Sequence, residues 1–467
     1  MEKDKMTEAQ KLEEKLLSKS ERAFKSFGVA HEGEINPFCD SYRAFLNASK
    51  TEREFTTAAE KLLREKGFVP LERGCEYKAG DKVFLNNRKK SILAAIVGNG
   101  ELDDGTNIVA AHIDSPRLDL KPNPLYEDGE LGYFKTHYYG GIKKYQWTVI
   151  PLALHGVVIK KNGETVEIVI GEDECDPALC VTDILPHLSY NVQDERKARD
   201  VIKGEELNIL LGSTPIDDEN IKEPVKLNIM RILNEKYGIT EADFRSAELE
   251  AVPAFKARDL GLDRSLIGAY AHDDRVCAYA ALRAFADADE TPSRTAICIL
   301  ADKEETGSEG NTGLDSDILK YFMSRLRSGD PGHALHNSKC LSCDVNVAFD
   351  PTFPEVSERR NSAYLNHGPV LTKYTGSRGK SGTSDASAEF VAEIRALLDG
   401  AKIPWQTGEL GKVDEGGGGT VAKYIASLGA DVVDFGVALL SMHAPFEVAS
   451  KLDIYALYKA CLAFYAC

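Results

Sequence analysis

The chain has 467 residues, of which 57 are basic and 74 acidic, so its formal net charge at pH 7 is −17. Apolar residues make up 43% and charged residues 28%, which is ordinary globular usage and excludes a collagen-like or intrinsically disordered chain. The acidic balance argues against a nucleic-acid partner, because proteins that bind phosphate backbones concentrate positive charge.

Residues 1–5 are charged where an export signal needs an apolar core, which favours a cytoplasmic location. The longest apolar stretch, 145–159, is interrupted by Pro151, His155 and Gly156. It is shorter than the roughly 20 residues of a membrane-spanning helix, so no membrane association is expected. The ten cysteines are spread along the chain, which predicts reduced thiols rather than a disulfide framework.

The first part of the chain is predicted to be helical. Five apolar residues recur at steps of three and four, the spacing of an apolar stripe on a helix. They are Leu12, Leu16, Leu17, Phe24 and Phe27. Thr51 and Glu54 have the spacing of a capping box, which predicts a helix over residues 55–66 that ends at Gly67.

Strand patterns dominate the next part of the chain. Two continuous apolar runs, 91–97 and 107–113, predict strands that are buried on both faces. After residue 120, short alternating runs separated by turn residues predict a β-rich block with a hairpin turn at 161–164. From about residue 266, strand-like runs alternate with helical stretches. The strand-like runs cover 265–271, 296–301 and 432–437, and the helical stretches cover 275–288, 384–398, 420–428 and 452–465.

The alternation predicts a three-layer α/β/α domain with a mixed, largely parallel sheet. We expect this domain to combine residues 1–120 and 255–467, with residues 121–254 as a β-rich insert. The glycine run 416–419 lacks the motifs that bind phosphate. It therefore predicts a tight backbone approach near a functional site.

Four segments place ionisable side chains after strand-like runs, where the catalytic groups of open α/β sheets gather. In the first segment, His112 and Asp114 lie two residues apart and would face the same side of a strand. This spacing suits a metal-bound imidazole with a carboxylate beside it. The alternative is a structural histidine at a strand end that is held by a hydrogen bond.

The other three segments have the same character. Asp273 and Asp274 lie at a strand-to-helix junction, where one could bind a metal and the other could cap the helix. Glu304 and Glu305 follow another strand, and crowded carboxylates are costly unless solvent or a cation relieves their repulsion. His443 follows the last predicted strand. The alternatives are a helix cap for the aspartate pair, a solvated acidic loop for the glutamate pair and a structural histidine for His443.

Together, these imidazoles and carboxylates form a donor set for two divalent ions. Zinc suits such a set, with manganese and cobalt as alternatives, and a bridging carboxylate holds two ions roughly 3.5–4 Å apart. A competing pattern, His333, His336, Cys340 and Cys343, has its two pairs almost back to back, unlike common zinc fingers. We therefore favour Asp344, directly after the second cysteine, as the chemical residue of that stretch.

Over nearly its whole length, the sequence resembles the family of aspartyl aminopeptidase and vacuolar-type aminopeptidase I, which are dinuclear zinc exopeptidases. Short segments in the family's order carry the resemblance. They are Glu52-Arg53-Glu54-Phe55, His112-Ile113-Asp114-Ser115-Pro116-Arg117, Asp273-Asp274-Arg275, Glu304-Glu305-Thr306-Gly307-Ser308, Ser342-Cys343-Asp344 and Ser441-Met442-His443-Ala444. Departures from aspartyl aminopeptidases after Gly368-Pro369 and at 416–419 indicate the bacterial aminopeptidase I branch.

The resemblance implies a metal-dependent aminopeptidase that removes single N-terminal residues from peptides, using a water held between two ions. By this resemblance, His112 and Asp344 bind one ion, Glu305 and His443 bind the other, and Asp273 bridges the pair. The sequence itself leaves open whether Asp273 or Asp274 is the bridge. It also leaves open which N-terminal residue is preferred.

The same resemblance implies roles outside the ligand set. Glu304 would be the general base, Asp114 would orient His112, and His187 would reach a neighbouring subunit's site. The insert would be an oligomerisation domain in a homo-oligomer, a dodecamer by resemblance.

Two other functional classes are consistent with the residues. One is a related dinuclear carboxypeptidase or N-acyl amidohydrolase, which would prefer a free carboxylate or a blocked amine. The other is a self-assembling shell protein in which the metal has only a structural role. Glu304 directly beside Glu305 argues against the shell, because a structural site needs no general base.

Overall fold

The computed structural model describes residues 6–17 and 23–467. Residues 1–5, whose charge underlies the expectation about export, lie outside the described residues. In the part of the chain that is described, no helix combines the length and apolarity needed to cross a membrane.

Helices and strands alternate along most of the chain. In chain order, the α-helices are α1 Glu8–Leu16, α2 Phe27–Ala30, α3 Glu32–Asn47, α4 Glu52–Glu65, α5 Pro186–Ser189, α6 Pro224–Tyr237, α7 His272–Ala286, α8 Ile318–Leu326, α9 Pro331–His336, α10 Ala388–Gly400, α11 Ala422–Ser427 and α12 Lys451–Tyr465. The strands are β1 Val69–Pro70, β2 Lys82–Asn87, β3 Ser91–Ile96, β4 Thr106–His112, β5 Arg117–Asp128, β6 Leu131–Tyr139, β7 Leu152–Ile159, β8 Thr165–Ile170, β9 Cys180–Val181, β10 Asn208–Gly212, β11 Ala247–Pro253, β12 Arg258–Leu260, β13 Leu266–Ala269, β14 Thr295–Ala301, β15 Lys339–Ser342, β16 Asn346–Val347, β17 Val370–Thr372, β18 Gln406–Thr407, β19 Asp431–Gly436, β20 Ala438–Leu440 and β21 Glu447–Ser450.

The largest sheet has the strand order β1-β2-β3-β14-β4-β15-β19-β17-β18. Its central strands β14, β4, β15 and β19 are parallel, while β3 and β17 pair antiparallel at their flanks. On β4, Ile108 and Ala110 pack towards α8, α9 and α11, whereas Val109 and Ala111 pack towards α4, α7 and α12. Each large apolar side chain buried in this way stabilises the fold by roughly 1.5–3 kcal/mol. The predicted three-layer α/β/α fold with a mixed sheet is confirmed.

A second sheet is antiparallel and takes its strands from residues 117–253, in the order β8-β7-β11-β5-β6-β10-β9. The predicted hairpin turn joins β7 to β8, with Gly163 at a φ of +85°. Trp147 and Phe134 are buried in the core of this sheet. The β-rich character of this block therefore agrees with the sequence pattern, and domain boundaries at residues 121 and 254 stay predictions.

The third sheet has the strand order β12-β13-β21-β20-β16. Strands β20 and β21 are antiparallel neighbours, so the chain turns between them at residues 441–446. Strand β13 leads directly into α7. Both connections bring ionisable residues to the carboxyl edge of the largest sheet.

Two local predictions need correction. Helix α1 forms, but Leu12 and Leu16 are exposed and none of its residues is buried. The expected apolar stripe is divided between elements, because α1 ends at Leu16 and the buried Phe27 opens the separate helix α2. Helix α10 begins four residues later than expected, because the Ser387 side chain accepts a hydrogen bond from the backbone of the first turn and caps the helix there.

The capping box at the start of α4 is confirmed. The Thr51 hydroxyl accepts the Glu54 N–H at 3.2 Å, and the Glu54 carboxylate accepts the Thr51 N–H at 3.1 Å.

Changing Thr51 to Ala should lower the free energy of unfolding by about 1 kcal/mol, measured by urea titration. Thr57→Ala, at an exposed position of the same helix, should change it by less than about 0.5 kcal/mol. Equal losses in the two variants would contradict a capping role.

Candidate metal centre

Ionisable side chains from separate segments meet at the carboxyl end of the parallel strands. In the sheet register, Ala301 at the end of β14 lies opposite His112 at the end of β4. Ser342 at the end of β15 lies opposite Ala110, which precedes His112 by two residues on β4. The loops after these strands therefore begin side by side, which brings Glu304 and Asp344 close to His112.

A first group of possible metal donors consists of His112, Asp273 and Asp344, whose ligand atoms all lie within 4.8 Å of one another. The Nε2 atom of His112 is 3.2 Å from Asp273 Oδ1 and 3.9 Å from Asp344 Oδ1. The other ring nitrogen, Nδ1, lies 3.0 Å from the carbonyl oxygen of Asp114 and 3.3 Å from its Oδ1. Donation from Nδ1 leaves the Nε2 lone pair directed at the carboxylates, as a metal-binding imidazole requires.

A second group consists of Asp273, Glu305 and His443. The Nε2 atom of His443 is 3.1 Å from Asp273 Oδ2 and 3.7 Å from Glu305 Oε1. Its Nδ1 donates a hydrogen bond to the carbonyl oxygen of Gly141 at 2.7 Å. Both histidines therefore have one nitrogen fixed by protein oxygen and the other facing carboxylates.

The structure places Asp273, and not Asp274, between the two histidines. The buried side chain of Asp274 instead accepts the backbone N–H of His112 at 3.3 Å. The expectation that one of these aspartates caps the helix is wrong, because no backbone N–H of α7 donates to either carboxylate among the described residues: Asp274 Oδ2 accepts from His112, and Oδ1 of both aspartates has no hydrogen-bond partner. Asp273 faces the rings of His112 and His443, whereas Asp274 faces the backbone of His112.

Glu304 lies beside the donor groups without belonging to either. Its Oε2 is 3.8 Å from His112 Nε2. Burial raises the pKa of Glu304 to about 7, although the His112 imidazole opposes the rise. The Asp114 carboxylate accepts the backbone N–H groups of Glu304 and Glu305 at 3.1 and 3.2 Å. Asp114 thus holds the glutamate turn as well as the His112 ring.

The charges of these groups fit a divalent cation. Burial raises the pKa values of the Glu305 and Asp344 carboxyls well above the usual range. In contrast, the two facing imidazoles lower the pKa of Asp273 despite its burial. Asp273 Oδ1 and Glu305 Oε1 accept no hydrogen bond from any described residue. Two imidazole nitrogens and several carboxylate oxygens, some without hydrogen-bond donors, are the ligands that zinc takes in hydrolases.

The structure does not bring His187 to this centre. His187 is exposed on α5 and lies outside both donor groups. The competing pattern also fails as a metal site, because Cys340 and Cys343 are buried in the cores on opposite faces of the sheet. Neither cysteine joins a metal-binding group with His333 or His336 among the described residues.

The donor groups open into a cleft of about 1100 Å³. Residues 417–419 of the glycine run form part of its wall, and the predicted tight approach of the backbone is found. A Cβ atom at Gly416 would lie 2.0 Å from the Leu410 carbonyl oxygen, and one at Gly417 would lie 2.0 Å from that of Gly376. Larger residues at these positions would therefore displace the cleft wall.

Two residues at the centre were missed by sequence reasoning. The buried Glu447 carboxylate accepts the backbone N–H of His443 at 2.6 Å and that of Asp273 at 3.0 Å. A carboxylate four residues after a candidate ligand was the available signal. The Tyr139 hydroxyl, at the end of β6, donates to Asp114 Oδ2 at 2.7 Å, and no local pattern indicates that contact.

The fold and the imidazole–carboxylate site together define a metal-dependent hydrolase. A family model described as aminopeptidase I zinc metalloprotease (M18) matches residues 45–465, so the chain belongs to this family. It is a zinc metallo-aminopeptidase, and the carboxypeptidase, amidohydrolase and shell alternatives are not supported.

Curated relatives and solved structures agree with this assignment. The probable M18 family aminopeptidase 1 of Clostridium acetobutylicum is 50% identical, over 94% of this chain and 97% of the relative. The crystal structure of an M18-family aminopeptidase from Thermotoga maritima has a TM-score of 0.91 and 45% identity, over 96% and 99% of the two chains. The S. cerevisiae mApe1 dodecamer has a TM-score of 0.74 at 21% identity, over 91% and 95%, which shows a shared fold.

Glu447→Gln should weaken zinc binding by about 10–100-fold, because an amide offers one acceptor atom where the two backbone N–H groups need two. Competition with a chromogenic chelator measures the dissociation constant. Glu389→Gln, an exposed position on α10, is the matched control and should leave it unchanged. Wild-type zinc affinity in Glu447→Gln would show that these two hydrogen bonds do not hold the donors.

Proposed function

We propose that this aminopeptidase binds two divalent metal ions per subunit, zinc in preference to manganese or cobalt. His112 and Asp344 hold one ion, Glu305 and His443 hold the other, and Asp273 bridges them. The observation that carries this proposal is that the two oxygens of Asp273 face the two imidazoles at 3.2 and 3.1 Å. When bound, such ions polarise a scissile carbonyl and lower the pKa of bound water.

Glu304 is the general base in this proposal. Its carboxylate lies 3.8 Å from His112 Nε2, at the edge of both donor groups, so it can reach the attacking water without being a ligand. Glu304 accepts a proton from that water as the oxygen attacks the peptide carbonyl. It then donates the same proton to the leaving amine. Asp114 supports this step by holding the glutamate turn and the His112 ring in place.

The proposed function requires a peptide with a free N-terminus. The free α-amino group of a peptide would bind beside the metals or at a neighbouring carboxylate such as Glu304, which would place the first peptide bond at the metals. An N-acetylated peptide has no such amino group. The proposed substrates are therefore unblocked peptides that lose one residue at a time.

Changing Glu304 to Gln should leave zinc content at the wild-type level and lower kcat by about 10²–10⁴-fold, because the amide cannot accept the proton. Hydrolysis of aminoacyl p-nitroanilides and metal analysis of the purified protein provide the two measurements. Glu309→Gln, an exposed neighbour in the same loop, should retain wild-type kcat. Retention of wild-type kcat by Glu304→Gln would refute the assignment.

We further propose that the chain is a cytoplasmic homo-oligomer and that the insert, residues 121–254, forms its interface. His187 is exposed on α5 and is flanked by Leu188 and Tyr190, whose exposed fractions are 62% and 68%. Neighbouring exposed apolar side chains are typical of a protein–protein interface. All ten cysteines are free thiols, which is consistent with a reducing compartment. A dodecamer, as in the mApe1 fold relative, is the proposed assembly.

In this assembly, His187 completes the site of a neighbouring subunit. His187→Asn and Glu304→Gln subunits should each be nearly inactive alone, and their co-expression should restore activity. In a mixed pair, the site of the His187→Asn subunit combines its own Glu304 with the native His187 of its neighbour. The site of the Glu304→Gln subunit has neither native residue. The readout is kcat of purified hetero-oligomers that carry two different affinity tags.

His137→Asn changes an exposed histidine of the same insert and serves as the control, because it should stay active without any partner. Full activity of His187→Asn alone would remove His187 from the mechanism. Two inactive variants that give no activity when co-expressed would show that His187 does not act across subunits.

A further inference from the structure

Three consecutive residues at the end of strand β6, residues 139–141, contact the metal centre, although β6 belongs to the antiparallel sheet of the insert. The Tyr139 hydroxyl donates to Asp114 Oδ2 at 2.7 Å. The carbonyl oxygen of Gly141 accepts the hydrogen bond from His443 Nδ1 at 2.7 Å. The segment therefore contacts Asp114, which supports the first donor group, and His443, which belongs to the second.

Between these contacts, Gly140 passes directly against Glu305. A Cβ atom at Gly140 would lie 2.9 Å from Glu305 Oε2 and 3.4 Å from its Cβ. Gly140 has a φ of +74°, a left-handed conformation that glycine adopts without steric cost. Only glycine therefore combines this backbone turn with this close approach.

We propose that residues 139–141 form a clamp by which the insert positions the donors of both metal ions, so that the insert is part of the metal centre as well as of the subunit interface. This proposal rests on the proposed two-metal function. It assigns Tyr139, Gly140 and Gly141 as positioning residues, since none of them is itself a proposed ligand or the base.

The Tyr139 end of the clamp acts through Asp114. Oδ2 of Asp114 receives the Tyr139 hydroxyl and the Glu305 N–H, while Oδ1 receives the Glu304 N–H and faces His112 Nδ1. Loss of the hydroxyl leaves Asp114 free to rotate towards the backbone amides. The His112 ring would then lose part of the support that directs its Nε2 atom at the metal.

The Tyr139 ring is itself held in place. The guanidinium of Arg117 lies 3.8 Å from the ring centroid, in a cation–π contact. Arg117 is buried and pairs with Glu250 at 3.2 Å and with Glu52 at 3.5 Å. These partners belong to β11 of the insert and to α4 of the catalytic domain. The clamp is thus anchored at the junction of the two parts of the chain.

The Gly141 end of the clamp fixes the second histidine. The His443 side chain is 36% exposed, so few packing contacts restrain its ring. Its hydrogen bond to the Gly141 carbonyl places the proton on Nδ1 and keeps Nε2 free to bind a metal. Because residues 139–141 contact both Asp114 and His443, a shift of β6 would disturb both donor groups together.

Tyr139→Phe tests the clamp, because it removes only the hydroxyl. We expect the zinc dissociation constant, measured by chelator competition, to rise about 10–100-fold. At saturating zinc, kcat should fall while KM for an aminoacyl p-nitroanilide stays within about twofold, since Tyr139 is not among the residues that line the cleft. Thermal unfolding of the metal-free protein should match the wild type, which separates positioning from a loss of folding.

Tyr138→Phe is the matched control, because Tyr138 is the preceding residue of β6 and its ring is exposed. It should bind zinc as the wild type does. Gly140→Ala is an independent second variant, expected to reduce zinc affinity because its methyl group would displace Glu305.

Wild-type zinc affinity and kcat in both Tyr139→Phe and Gly140→Ala would overturn the clamp. A wild-type protein that binds two zinc ions and cleaves peptides while these variants behave normally would leave the proposed function standing. A wild-type protein that does not bind two ions per subunit would instead refute the proposed function, and the clamp with it.

Discussion

A concentration of buried negative charge is the constraint on which this centre depends. The side chains of Asp273, Glu305 and Asp344 are at most 10% exposed, and they face each other across two imidazoles. Carboxylates packed in this way are costly unless protons or cations lie between them. Bound zinc would relieve the repulsion between these carboxylates. The repulsion in the metal-free protein therefore favours metal binding.

The surrounding hydrogen bonds fix the direction of each donor. Asp114 and Glu447 each accept two backbone N–H groups, and between them they hold the glutamate turn, Asp273 and His443. The antiparallel sheet that contains β6 adds a third support through residues 139–141. Carboxylates and backbone carbonyls behind ligands commonly set the orientation and basicity of metal-binding imidazoles. The precision of the centre therefore comes from residues that the proposed metals do not touch.

Local signals in the sequence predicted much of the fold. The capping box at Thr51, the hairpin turn before β8 and the buried runs of β3 and β4 depend on residues within one element, so spacing alone reveals them. Packing between distant elements is not visible in that way. The apolar residues of α1 are not buried, and Asp274 bonds to the backbone of His112 instead of capping its helix.

The same distinction between local patterns and distant contacts applies to the residues of the site. Residues in short motifs after strands, such as His112 and His443, could be named from the sequence together with a family resemblance, because sheet topology gathers strand ends. Glu447 bonds to the nearby His443 backbone, which spacing could have indicated, but its bond to Asp273 spans 174 positions and that of Tyr139 to Asp114 spans 25, and no spacing indicates those two contacts. The most direct test of the account is anomalous diffraction at the zinc edge from crystals of the zinc-loaded protein. The account predicts two peaks on either side of Asp273, and a single peak, or peaks away from His112 and His443, would contradict it.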